Sequence, residues 1–275
     1  ISTTLWVTGS FDNPAGFAAC LCAGFPFVGF LLSDSNKYIR YVGGLIGFVI
    51  VIAVILSQSR AGIMSIAFIC FILLNMKFFH KRWVKYLSLL CFALLLSGCY
   101  WMKKDSADGR LLIWRCSVSM VKDAPWLGHG IGSFEARYMD YQADYFRQYG
   151  LNRYSMLADN VKHPFNEYLG VLLNFGFVGL LMILALITLL IYCYKKHPCA
   201  EKRIAFYSLI SIGVFSFFSY TFTYPFTWIV TFLCIIILTK EYIAKVFTCP
   251  IIKNTVCIFI LLCSFWGIYN LVKRV

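Results

Sequence analysis

Eight stretches of this chain are apolar for the length of a membrane crossing, and that leaves few folds open. They fall at about 15–32, 39–56, 61–79, 86–101, 167–194, 204–220, 222–239 and 254–272. An eighteen-residue helix rises about 27 Å, close to the thickness of a hydrocarbon core. Backbone polar groups in lipid must be satisfied within the segment, which a helix does. Only 13% of the residues are charged, against about 25% in soluble domains. The expectation is an all-α, polytopic integral membrane protein with about eight transmembrane helices. The runs 204–220 and 222–239 are divided only by the polar Thr221–Pro225 patch, so a re-entrant hairpin is the other reading there. The first residue is Ile1, with no signal-peptide pattern, and the natural N-terminus is expected to lie upstream.

A net charge of +13 is the kind of value found in nucleic-acid binders, but its placement excludes that class. The basic residues crowd alternate short connections: Lys37 and Arg40; Lys77, Lys81, Arg82 and Lys85; Lys195, Lys196, Lys202 and Arg203; Lys240, Lys245 and Lys253. Only Asp34, Glu201 and Glu241 oppose them there. The positive-inside rule puts these connections in the cytoplasm. The N-terminus, the turn before residue 61 and the long 102–166 loop then face outward. Lys273 and Arg274 run against this pattern at the outer C-terminus. Most of the 12 cysteines lie in apolar runs, where cysteine behaves as a small hydrophobe. Cys116 alone is clearly in the outer loop, so no disulfide framework is expected. No His/Cys grouping has zinc spacing, and no metal site is expected.

Arg60 interrupts the apolar stretch from about Tyr41 to Phe79, within Ser57-Gln58-Ser59-Arg60-Ala61-Gly62. A charge at membrane depth costs roughly 2.5–3.5 kcal/mol on insertion scales. It is retained where it meets a cavity, a partner or an anionic ligand; the plainer reading is a turn residue touching water or lipid phosphate. The 102–166 loop is the only extended polar region, and it is too aromatic for disorder. Its basic and acidic residues nearly balance. A helical pattern opens at Asp108, with apolar residues at 111, 114, 118 and 121, and Pro125 limits it. The Gly128–Gly132 segment has neither P-loop nor dinucleotide spacing and reads as a tight turn. A Tyr-rich helix follows from Glu135 to Tyr149, of a composition that favours an interface. The loop therefore reads as a helical cap on the outer face. It divides the chain into N-terminal membrane helices at 1–101, a cap at 102–166 and C-terminal membrane helices at 167–275.

The loop closes on Lys162-His163-Pro164-Phe165-Asn166-Glu167. Pro164 suits the first turn of a helix, which puts His163 near its N-cap. The positive end of the helix dipole favours neutral imidazole there, and neutral imidazole can act as a base at pH 7. Glu167 lies one turn on, at a spacing that shares a helix face. For a lone histidine the plainer reading is a structural cap.

These motifs together resemble the O-antigen ligase superfamily. The residues that carry the resemblance are Ser59-Arg60-Ala61-Gly62; Gly109-Arg110 with Trp114; Pro125, Gly128, Gly130, Gly132 and Phe134; His163-Pro164, Asn166-Glu167-Tyr168-Leu169; and Gly176 with Gly179. Phe11, Asn13, Pro14 and Ala18 resemble the segment upstream of that core. The superfamily holds O-antigen ligases, O-antigen polymerases and bacterial protein O-oligosaccharyltransferases. The resemblance implies a GT-C-like, metal-independent, inverting glycosyltransferase of the bacterial inner membrane, with no cofactor. It would move a glycan from undecaprenyl diphosphate to an acceptor hydroxyl on the periplasmic side. The acceptor would be a lipid A-core, a protein side chain or another glycan, among membrane lipids and with no nucleic acid partner. Members have about ten to fourteen helices, which implies further helices upstream of this chain.

The residue roles follow from that reading. Arginine forms bidentate, charge-assisted bonds to phosphate, and Arg60 and Arg110 are expected to stabilise the departing diphosphate. His163 is the expected base. Arg115, Asn166, Glu167, Ser59 and Trp114 are expected to bind substrate. Many relatives place the histidine directly before the asparagine, where this chain has Phe165, so Glu167 stands as the other candidate base. An O-antigen polymerase joining repeat units is the alternative within the superfamily. A lipid-linked glycan transporter is the alternative outside it, although transporters usually carry internal repeats and this chain has none.

Overall fold

A computed structural model of the chain describes residues 8, 9, 11, 13–77, 82–102 and 104–247. Among them there are helices and no strands. The apolar run expected at 254–272, with Lys253, Lys273 and Arg274, lies outside the described residues, as does Lys81.

Each helix begins where the local chemistry caps it. α1 (Pro14–Leu31) has Asn13 before it, whose Oδ1 accepts from the Ala15 and Gly16 N–H groups, and Pro14 in its first turn. α2 (Lys37–Leu56) is capped by Asn36. α3 (Arg60–Lys77) follows a tight turn at Gln58, and the Ser59 hydroxyl accepts from the Gly62 N–H at 3.3 Å. α4 (Arg82–Met102) leads to α5 (Lys104–Asp123) and α6 (Ser133–Tyr149), the two helices of the outer loop. α7 (Glu167–Lys196) is capped by Asn166, whose side chain accepts from the Leu169 N–H at 3.0 Å, so the helix begins beyond Pro164 and His163 lies before its N-cap rather than near it as expected. α8 (Ala200–Phe218) and α9 (Pro225–Phe247) are separate helices joined by a 3-10 turn at Thr221–Thr223, and they pack along each other. The 204–239 region is therefore a helix pair.

Four described helices are long and apolar enough to cross a membrane: α1, α2, α7 and the Pro225–Ala244 part of α9. α3 and α4 carry shorter apolar segments, Arg60–Leu73 and Lys85–Leu94. This is an all-α membrane protein.

α8 is the hub of the bundle, packing against α1, α3, α7 and α9. Its core with α1, α2 and α3 holds Ala18, Cys22, Val54, Ile69 and Phe215. Small polar residues tie the centre: the Ser65 hydroxyl donates to the Ser211 carbonyl and the Ser211 hydroxyl donates to the Cys22 carbonyl. Lipid gives no hydrophobic drive between helices, so such bonds and close backbone approach do the work. Gly43 and Gly47 of α2 show the latter. A methyl group there would lie 2.6 Å from Leu31 Cβ and 2.8 Å from Val28 Cγ1.

The helix ends sort by charge. At one end Lys202, fully buried, pairs with Glu241 at 2.6 Å, and Lys240 pairs with Glu201 at 2.8 Å. The other end gathers the N-termini of α1, α3, α7 and α9 with the C-terminus of α8, and the α5–α6 unit sits there. α5, α6 and the first turns of α7 share a second core of Leu112, Cys116, Met120, Phe134, Tyr138 and Leu173. Cys116 is a buried free thiol, its pKa pushed up to about 11 by burial.

α7 is not continuous. Gly176 leaves the helix (φ 62, ψ −158), and the segment after α5 fills the break. The His129 and Gly130 N–H groups donate to the Leu173 and Asn174 carbonyls at 2.7 and 3.1 Å. In return the Phe177 and Val178 N–H groups donate to the Pro125 and Trp126 carbonyls at 2.8 and 3.2 Å. The glycine segment read as a tight turn is thus a splice into a broken helix, satisfying polar groups that the break exposes.

Candidate functional site

Ser106, Arg110 and Trp114 are spaced four apart on α5 and share one face. This stripe meets the helix ends. The Arg60 guanidinium donates to the Ser106 hydroxyl at 2.7 Å, tying α3 to α5. Arg110 donates to the Phe218 carbonyl at 2.6 Å, at the end of α8. Its guanidinium also lies 5.0 Å from the centre of the Phe165 ring. Trp114 donates its indole N–H to the Pro164 carbonyl at 3.0 Å, fixing the strand of chain between His163 and α7.

Tyr220 is the centre of the cluster. His163 stacks on its ring at 4.9 Å with an interplanar angle of 24°, and Phe165 meets it edge-on at 5.3 Å. Asn13 Nδ2 donates to the Tyr220 hydroxyl at 3.1 Å, while Asn13 Oδ1 accepts from the Tyr224 hydroxyl at 2.8 Å. Phe165 holds a left-handed backbone (φ 52), which is uncommon for a bulky residue. This turn sends its ring toward both Arg110 and Tyr220.

The electrostatics are cationic. Burial, and after it the positive charge of Arg60, pushes the Arg110 pKa down to about 10. The two arginines therefore repel each other across the cluster, and an anion between them would relieve both. Burial lowers the His163 pKa below its ordinary 6.5, with the Glu135 charge opposing and Lys162 adding to the shift. The shift favours the neutral imidazole.

The other residues singled out in the sequence have distinct positions. Glu167 Oε1 accepts from the Phe222 N–H at 2.8 Å and so anchors the α8–α9 turn. Ser59 and Asn166 cap α3 and α7. Arg115 points away from Arg110 around α5, to the Tyr145 hydroxyl (3.4 Å) and over the Tyr154 ring (5.1 Å). Tyr220, Phe218, Ser106 and Phe222 belong to the cluster and had no motif to announce them. The polar patch at Thr221–Pro225 was the one signal that this turn is special. Asn13 was visible only as part of the Phe11-x-Asn13-Pro14 segment.

An apolar crevice of about 710 Å³ runs between α3, α4, α7 and α8. Met64, Phe68, Phe92, Leu190 and Phe217 line it, and so does Phe218, whose carbonyl Arg110 holds.

The family model described as O-antigen ligase matches residues 45–184, just over half of the chain, from within α2 to within α7. No curated protein matches the chain.

Proposed function

The chain belongs to the O-antigen ligase family, and on that premise we propose that it transfers a glycan from undecaprenyl diphosphate to an acceptor hydroxyl. The observation that carries this reading is the clustering of Arg110 and His163 with Phe165 and Tyr220, with Arg60 tied to the same face of α5 at Ser106, beside an apolar crevice that Phe218 lines. A lipid diphosphate needs both features: a dry groove for its tail and guanidinium forks for its charge.

The reaction is a direct displacement. His163 takes the proton of the acceptor hydroxyl, and the oxygen attacks the anomeric carbon. The bond from that carbon to the diphosphate oxygen breaks with its electron pair, and configuration inverts. Arg60 and Arg110 stabilise the negative charge that develops on the leaving diphosphate. The bond from the Phe222 N–H to the Glu167 carboxylate supports a structural role for Glu167, and so favours His163 as the base. The site lies on the periplasmic side of the bacterial inner membrane. This follows from the basic residues at the opposite ends of the helices, by the positive-inside rule. A GT-C-like arrangement with about eight helices in this chain completes the proposal.

The test is transfer of glycan from purified lipid-linked donor by the full-length protein, with donor binding scored separately. Transfer that Arg110→Ala abolishes at normal expression is expected. Wild-type protein that binds the lipid diphosphate but never transfers its glycan, with each acceptor class supplied, would overturn the reading.

A further inference from the structure

A second concavity lies on the α5–α6 unit, on the side to which Arg115 turns. It is a groove of about 660 Å³, within the usual range for small-ligand sites. Its lining includes Trp114, Tyr145 and Tyr149 with Arg115, Asp123 and Asp144. The rings of Tyr145 and Tyr149 lie 4.9 Å apart, one turn from each other on α6, and Tyr149 is 61% exposed. The Tyr141 hydroxyl donates to Asp123, and that bond pushes the Tyr141 pKa up to about 12.

Three properties narrow the ligand. The cations Arg115 and Lys122 are matched by the carboxylates Asp123 and Asp144, so the groove does not select a polyanion. Its aromatic rings are flat, amphipathic surfaces. Its polar groups offer both donors and acceptors at the groove wall. A pyranose matches that set: its C–H faces lie on rings, and its hydroxyls bond to carboxylate and guanidinium. Trp114 gives the groove its relation to the first site. Trp114 lines the groove, while its indole N–H donates to the Pro164 carbonyl beside His163.

We propose that the groove between α5 and α6 is a glycan-binding subsite, which takes neutral sugar units beyond the one that reacts. The proposal rests on the glycosyl-transfer reading for its role, and on the groove alone for its ligand. The sugars belong either to the donor glycan or to the acceptor, and the two sources separate by experiment.

The probe is the neutral oligosaccharide freed by mild acid from the lipid-linked donor of the source cells, with no diphosphate attached. Its binding to full-length protein is read by saturation-transfer NMR on the aromatic protons. Saturable binding is expected, weakened at least fivefold by Tyr149→Ala and by Asp144→Asn. Both side chains are exposed; should Tyr149→Ala lower the melting temperature, Asp144→Asn carries the test. In transfer assays, a donor with a long glycan competes with one bearing a single sugar. A fall of about tenfold in preference for the long donor assigns the groove to the donor. A rise of similar size in KM for the acceptor assigns it to the acceptor. No binding, or binding that neither variant weakens, overturns the proposal. A protein that binds the oligosaccharide yet transfers from no donor would sink the enzymatic reading and leave the subsite standing.

Discussion

At the scale of single residues, the site depends on geometry that charge alone does not supply. Arg110 reaches the Phe218 carbonyl and the Phe165 ring at once and still has N–H donors in a planar fork for a phosphate, a bidentate geometry that an ammonium lacks. Arg110→Lys and Arg60→Lys should each lower glycan transfer by about 10²-fold or more, the scale for losing an oriented donor at a developing anion. Near-normal turnover in both variants at normal expression would remove the diphosphate clamp. His163→Ala should lower turnover by roughly 10²–10⁴-fold with donor binding kept. Its pH profile provides the second check. Burial holds the His163 pKa below 6.5, so the base form persists to lower pH than in free imidazole. Activity should fall as pH drops through that depressed value, on an acid limb below 6.5. The same shift makes the folded state bind fewer protons than the unfolded chain in that window, so stability also declines as pH falls through it. An acid limb centred above 6.5 would exclude His163 as its source. Glu167→Gln should cost less than His163→Ala, because the amide oxygen still accepts from the Phe222 N–H.

At the scale of elements, the break in α7 is the feature on which the cap depends. A Cβ at Gly176 would lie 2.3 Å from the Trp126 oxygen, and one at Gly128 would lie 2.5 Å from the Asn174 carbonyl carbon. Both obstacles are backbone and cannot rotate aside. Both glycines also hold a positive φ, which costs an L-residue about 1–3 kcal/mol by itself. Gly130 has positive φ but open space around its Cβ position. Thermal unfolding in detergent should therefore rank the variants, with Gly128→Ala and Gly176→Ala well below Gly130→Ala. Equal melting temperatures for the three would show that the splice does not hold the cap.

At the scale of the whole molecule, the helix ends divide into a cationic end with paired lysines and an end that carries the cap. The proposed orientation puts the cap outside. Cysteines introduced at Leu151 and Lys195, both exposed, in a cysteine-depleted background should separate cleanly. An impermeant thiol reagent applied to intact spheroplasts should label position 151 and spare position 195. The reverse pattern would invert the topology.

The sequence alone determined that this is a helical membrane protein, because a long apolar run in lipid can satisfy its backbone only as a helix. It also announced α5 and α6 through apolar spacing and a proline, and marked Arg60, Arg110 and His163 through local motifs. What it could not carry is the convergence. Asn13 and Tyr220 are 207 positions apart, and no local period links them. Arg110 is held by the carbonyl of Phe218, a group that every residue possesses and no sequence pattern reveals. The run at 167–194 reads as one helix, since glycine is tolerated in membrane helices. Only the approach of residues 125–130 explains why the chain breaks at Gly176. Tertiary structure decided which backbone groups were left to pair across the bundle, and therefore which residues gather at the proposed site.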